Sequence, residues 1–150
     1  MTATHVHEHD QMIGLADDIL RRVARAGAGE RGGLAQLRLA FARLVNKHCT
    51  EEGKTIADAV KRGLLSESLV SSFQGDLLRW RTDLAICNSE WPLARVLGDP
   101  KGFERQFGDI AKRLRDYIAR ENSEILEVIG RHPSGANRGK PEGTSTSQAG

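Results

Sequence analysis

Apolar residues recur every three to four positions over most of this chain, without the sustained alternation that would indicate β-strands. This spacing predicts helices over about 7–26 and 34–61, from a cap at Ser66 or Ser68 to about 88, and from 100 to 129. Glycines at 27–33 and prolines in the segment 92–100 separate neighbouring helices. Long helices joined by short links predict an all-α, up-down-up-down four-helix bundle.

The apolar stripe of the second predicted helix contains two polar residues, His48 and Glu52. The stripe continues on both sides, with Val45 before the pair and Ile56 after it. Because residues four apart share one helix face, this imidazole and carboxylate project inward together and can reach a single metal ion. A buried hydrogen bond between the two, or a position at a solvated end of the bundle, is the alternative interpretation.

Two other predicted helices show a comparable interruption. His9 lies one turn before the apolar face of the first helix, and Glu121 lies within the apolar face of the last one. With alternating helix directions and a rise of about 1.5 Å per residue, these positions fall at a similar depth as the pair in the second helix. Two imidazoles and two carboxylates make a nitrogen and oxygen ligand set that suits iron, manganese or zinc.

The order and spacing of these motifs resemble the hemerythrin-like domain family, over about residues 7–130. The segments that carry the likeness are Glu8-His9-Asp10, His48-x-x-Glu51-Glu52 and Leu114 to Glu121. The resemblance implies a metal site in the bundle core, with His9, His48, Glu52 and Glu121 as ligands of non-haem iron, mononuclear or dinuclear, or of manganese or zinc. It also implies sensing, storage or detoxification of O2, NO or peroxide.

The chain departs from the family pattern in its third and fourth helices. The third helix contains no histidine, and Tyr117 stands four residues before Glu121, where the family places an imidazole. Tyr117 is therefore a candidate phenolate ligand, or a core aromatic residue whose hydroxyl donates to Glu121. Glu51 is a further candidate ligand or supporting residue. The same departures favour a second hypothesis, a metal-free bundle that acts as a regulatory or protein-interaction module.

The remaining histidines and the cysteines are assigned plainer roles. We expect residues 1–6 to be flexible, with His5 and His7 exposed to solvent, although alternating histidines in an extended segment can chelate a metal. Cys49 is predicted to point away from His48, and Cys87 to act as a small apolar residue in the third helix. Residues 131–150 have almost no large apolar side chains, which predicts a disordered tail.

Composition narrows the functional classes. A chain of 150 residues with net charge +2 fits one domain with an ordinary surface and argues against a nucleic-acid-binding protein. The sequence lacks an apolar run of about 20 residues and a secretion signal, so we expect a cytoplasmic protein that does not span a membrane. It also lacks nucleophile and phosphate-loop motifs, which leaves little support for an enzyme with an organic substrate. A homodimer or a regulatory protein partner stays open, with Trp91 either in a contact surface or packed into the link before the last helix.

Overall fold

The computed structural model describes residues 2–27, 29 and 32–132, and this part of the chain is helical, with no strand. The all-α class predicted above is confirmed at that level. The elements are α1 (Thr2–Gly27), α2 (Leu34–Lys61), α3 (Glu67–Glu90), α4 (Leu93–Gly98), α5 (Pro100–Glu121), a π-helical turn (Asn122–Leu126) and α6 (Glu127–Gly130). Most of the predicted tail, residues 133–150, lies outside the described residues.

Two helix starts have side-chain caps, and the one at Ser66 was expected from the sequence. The Ser66 hydroxyl oxygen accepts the backbone N–H of Leu69 at 3.1 Å and caps α3. The Asp99 carboxylate accepts the backbone N–H of Gly102 at 3.0 Å, and Pro100 occupies the first position of α5. Both caps place the following helices at the predicted positions.

The amino-terminal prediction was wrong. Helix α1 begins at Thr2 rather than at about His7, so residues 2–6, expected to be flexible, are helical. His5, expected to be exposed, retains only 3% of its accessible surface, whereas His7 is exposed as expected. The physical reason is that the inward face of the first turns carries histidine and glutamate instead of aliphatic residues, so hydropathy alone does not reveal it.

The link between α3 and α5 contains a short helix that the sequence pattern did not predict. Helix α4 buries Val96 in the core. Trp91, just before it, is buried, stacks edge-on against Phe103 at 5.9 Å and donates from its indole nitrogen to Gln106 at 2.7 Å. Trp91 therefore packs into the link, which was one of the two alternatives left open.

Each long helix packs along at least one other long helix. Helix α1 lies along both α2 and α5, and α3 lies along α5. His5 contacts Thr55 and His9 approaches His48, so α1 and α2 run in opposite directions. No helix in the described part of the chain has the length and apolar character needed to cross a bilayer.

The apolar core is divided into two clusters with polar residues between them. The larger cluster includes Met12, Ile19, Phe41, Val45, Trp80, Phe103, Phe107, Leu114 and Ile118. The smaller one consists of Ile56, Ala59, Leu65, Val70, Phe73, Ile125, Leu126 and Ile129. Helices α1, α2 and α5 each carry their buried polar residues at the boundary, so the core presents a polar layer between two apolar ones.

Helix α5 continues into α6 through the π-helical turn. In this turn the backbone N–H of Glu127 donates to the carbonyl of Asn122, five residues back. The wider turn shifts the register of the following residues, so Leu126 and Ile129 are buried and Val128 is only half-buried.

Candidate metal centre

The structure brings together the four residues proposed as ligands. His9 comes from α1, His48 and Glu52 from α2, and Glu121 from α5, and all four are buried. One potential ligand atom from each lies within 4.8 Å of the others. Glu52 Oε2 lies 2.8 Å from His48 Nε2 and 3.0 Å from His9 Nε2, and Glu121 Oε1 lies 3.1 Å from His9 Nε2. These side chains are close enough to bind one metal ion.

Both imidazoles are oriented by a partner on their outer nitrogen. His9 Nδ1 donates to the side-chain oxygen of Asn122 at 2.7 Å, and His48 Nδ1 donates to Glu8 Oε1 at 3.3 Å. Because Nδ1 then carries the hydrogen, the Nε2 atom of each neutral ring presents its lone pair to the cluster. Metal-bound histidines in proteins typically have this second contact to a carboxylate or another acceptor.

The inner atoms of the cluster are mutually unsatisfied. Within the described part of the chain, His48 Nε2, Glu52 Oε2 and both carboxylate oxygens of Glu121 are buried without a well-aligned hydrogen bond. Acceptor atoms that face one another in an apolar interior are unfavourable unless a positive charge lies between them. Shared protons or a metal ion can supply that charge, and a divalent ion balances the two carboxylates.

In the metal-free chain, protons take this role. Burial alone would lower the pKa of His9, but its interactions with Glu121 and Glu52 outweigh burial and raise the pKa to about 10. The pKa of His48 is also raised, since contact with Glu52 outweighs burial. Burial would raise the pKa of Glu52, but the two imidazoles lower it, whereas burial and the Glu52 charge raise the pKa of Glu121. The directions of these shifts fit a cluster in which the imidazoles hold protons against the two carboxylates when no ion is bound.

Glu51 does not belong to the cluster, so its candidacy as a ligand was wrong. Its side chain is exposed, and its carboxylate lies 3.9 Å from the ammonium group of Lys47. Adjacent residues on a helix are rotated by about 100°, so Glu51 faces solvent when Glu52 faces the core.

Tyr117 is half-buried between the two apolar clusters. Its ring packs edge-on against Phe73 at 5.8 Å. Burial first, and then the neighbouring Glu121 carboxylate, raise the pKa of the Tyr117 hydroxyl, which therefore keeps its proton. This environment favours the interpretation of Tyr117 as a core aromatic residue beside the cluster.

A small pocket reaches the cluster from the side of α3. Its volume is about 120 Å³, and its walls include Glu52, Tyr117, Cys49, Phe73 and Leu77. Among the described residues, α3 supplies no member of the cluster and contributes apolar wall instead. Cys49 lies outside the cluster, as predicted, and burial raises its pKa to about 11, so the thiol is protonated.

Sequence reasoning missed the supporting residues. Glu8 and His5 lie on the same face of α1 as His9, and an extension of the predicted helix to Thr2 would have revealed them. Asn122 had no comparable signal. It adjoins Glu121 in sequence, and its contact with His9 occurs in a π-helical turn that apolar periodicity does not predict.

Comparison with family models, with curated proteins and with solved structures gives no match for this chain. The resemblance to hemerythrin-like domains therefore rests on the sequence motifs and stays a prediction. The geometry shows a buried cluster of two histidines and two glutamates that could hold a metal ion.

Proposed function

We propose that this chain is a hemerythrin-like metal-binding protein that holds non-haem iron through His9, His48, Glu52 and Glu121. The observation that supports it most strongly is the convergence of buried nitrogen and carboxylate atoms without aligned hydrogen bonds. The outer nitrogen of each imidazole meanwhile donates a hydrogen bond, from His9 to Asn122 and from His48 to Glu8. Two nitrogen and two oxygen donors suit iron, and they suit manganese or zinc as well.

The proposed architecture is an up-down-up-down four-helix bundle formed by α1, α2, α3 and the rod from α5 to α6. In support of it, α1 runs opposite to α2, as described above. Helices α3 and α5 also run in opposite directions, because Asp83 pairs with Arg113 at 2.8 Å while Asp76 pairs with Arg120 at 3.4 Å. In such bundles, metal sites are built from side chains of facing helices in the core.

The surroundings of the cluster favour a small ligand. Bound iron with this donor set would supply open positions for O2, NO or peroxide. The two apolar clusters exclude bulk water from the site, and the pocket of about 120 Å³ beside Glu52 and Tyr117 is too small for a large organic substrate. We therefore propose sensing, iron handling or detoxification of such a ligand.

An iron-loading experiment tests this function. The full chain is given one equivalent of Fe²⁺ without oxygen, freed of unbound metal and analysed for iron content and absorption, before and after exposure to NO. We expect the wild type to retain the iron and to develop new absorption with NO. Glu52→Gln should retain at least tenfold less iron, while the control Glu51→Gln on the exposed side of the same turn should behave as the wild type. Equal retention by Glu52→Gln would contradict the proposal.

A metal-free bundle with a regulatory or protein-interaction role, as a homodimer or with another protein, is the second candidate. The observation in its favour is that protonated His9 can satisfy the two carboxylates without an ion, as its raised pKa indicates. The absence of cluster residues from α3 in the described chain points the same way. If the wild type retains no iron, manganese or zinc, this second function replaces the first.

A further inference from the structure

A second group of ligand atoms lies on the other side of the His48 ring. His5, Glu8 and His48 are all buried, and one potential ligand atom from each lies within 4.8 Å of the others. Glu8 Oε1 lies 3.3 Å from His48 Nδ1 and 3.7 Å from His5 Nδ1. His48 thus presents Nε2 to the first cluster and Nδ1 to this one.

The hydrogen bonds of His5 leave one of its nitrogens unused. The Thr55 hydroxyl lies 3.5 Å from the carbonyl oxygen of Glu51, to which it donates its only proton. It therefore accepts the Nε2–H of His5, which lies 2.9 Å away. His5 Nδ1 is left with a lone pair, buried and without a hydrogen-bond partner in the described part of the chain. A buried nitrogen of this kind requires an explanation.

Glu8 presents one oxygen to the two imidazoles and keeps the other occupied. Lys47 Nζ lies 3.2 Å from Glu8 Oε2, which leaves Oε1 directed at His5 and His48. One carboxylate oxygen and two ring nitrogens therefore converge, all within 4.8 Å of one another.

We propose that His5, Glu8 and His48 form a second metal site, suited to Zn²⁺ or a similar divalent transition ion. Two histidines and one glutamate, completed by water, are an established zinc ligand set. In the free protein His48 Nδ1 carries the ring proton that it donates to Glu8, so an ion at the second site alone would displace this proton to Nε2, which faces Glu52. With both sites filled, His48 would lose the proton to solvent and serve as a ligand of both ions, through Nδ1 and Nε2. Only this joined form rests on the proposed function, since the second site can fill by itself.

Zinc stoichiometry tests the proposal. The full chain is loaded with excess Zn²⁺, freed of unbound metal by gel filtration and analysed for zinc per chain. We expect two ions in the wild type and one in His5→Ala. His7→Ala is the matched control, because His7 is an exposed histidine on the same helix, and it should retain two. The double variant Glu52→Gln/Glu121→Gln removes both carboxylates of the first cluster and should retain one.

Each pattern of zinc binding decides between the two sites. Two ions in both the wild type and His5→Ala would overturn the second site. One ion in the wild type and in His5→Ala, with none in the double variant, would overturn it while leaving the first cluster intact. One ion in the wild type, none in His5→Ala and one in the double variant would support the second site and contradict the first. No bound zinc would overturn both.

A folding control accompanies these measurements. Circular dichroism should show the same helix content in every variant. If His5→Ala loses helix, His5→Gln takes its place, because the glutamine amide can still donate to Thr55 while removing the ring nitrogen. Zinc loss in the folded His5→Gln variant would support the proposal, and two retained ions would overturn it.

Discussion

The imidazole of His9 is held from two sides. Its Nδ1 donates to Asn122, and its Nε2 lies 3.0 Å from Glu52 and 3.1 Å from Glu121. The outer contact selects the ring tautomer and the ring orientation, so the inner nitrogen faces the carboxylates. Asn122, which contacts none of the proposed metal-ligating atoms, thereby positions the His9 ring.

Removal of the outer partner of His9 should weaken metal binding. In Asn122→Ala the ring loses its acceptor and both tautomers become accessible, so we expect a loss of about 10- to 100-fold in affinity for Zn²⁺. Competition with a chromophoric chelator measures it. Ser123→Ala is the control, because Ser123 is exposed in the same π-helical turn and should leave the affinity unchanged. Equal affinities of the two variants would show that Asn122 does not position the ring.

At the scale of helices, several buried polar residues lie on apolar helix faces that the sequence pattern reveals. His48 and Glu52 were found from sequence because apolar turns flank them in a regular helix, and the same reasoning located Glu121. The beginning of α1 was not found, because its inward side consists of His5 and Glu8 instead of aliphatic residues. The π-helical turn was also missed, since a one-residue shift in register becomes visible only through tertiary packing.

Two glycines of α5 provide a matched test of how this helix packs. A Cβ at Gly102 would lie 2.7 Å from the Trp91 ring and still closer to the Asp99 carboxylate, whereas a Cβ at Gly108 would meet nothing within 4 Å. We expect Gly108→Ala to raise the free energy of unfolding by about 0.5–1 kcal/mol, because alanine favours the helix. Gly102→Ala should lower it by about 1–3 kcal/mol through overpacking.

Urea unfolding of the two variants measures both effects. A stabilised Gly102→Ala variant would contradict the close packing of Trp91 and Asp99 against the first turn of α5. A destabilised Gly108→Ala variant would contradict the open helix surface at that position.

At the scale of the whole molecule, the cluster couples folding to proton and metal binding. The buried groups join α1, α2 and α5, so whatever cation they share also holds these helices together. Protons and a metal ion compete for the same atoms. The stability of the metal-free protein should therefore fall as the pH rises, whereas its affinity for metal should increase.

The metal-free chain should lose stability at alkaline pH. The pKa of His9 is about 10 in the folded chain and 6.5 for an unperturbed histidine. Because the folded pKa is the higher one, its contribution to stability is complete below pH 6.5 and disappears as the pH rises to about 10. If the whole shift is expressed, the free energy of unfolding falls by up to about 5 kcal/mol.

Urea unfolding at pH 6 and pH 10, in the presence of a chelator, checks this pH dependence. His9→Gln should show a much smaller change over the same range, because it lacks the titrating ring. The affinity of the wild type for metal should instead increase with pH, since fewer protons compete for the ligands. Equal pH dependence of the wild type and His9→Gln would show that His9 does not carry the shared proton.

X-ray absorption spectroscopy of the iron-loaded full chain tests the central claim most directly, because it reports the atoms bound to the metal. We predict nitrogen and oxygen neighbours alone, with outer scattering from two imidazole rings, as His9 and His48 would supply with Glu52 and Glu121. A sulfur neighbour, an absence of imidazole scattering, or a chain that retains no iron would contradict the account.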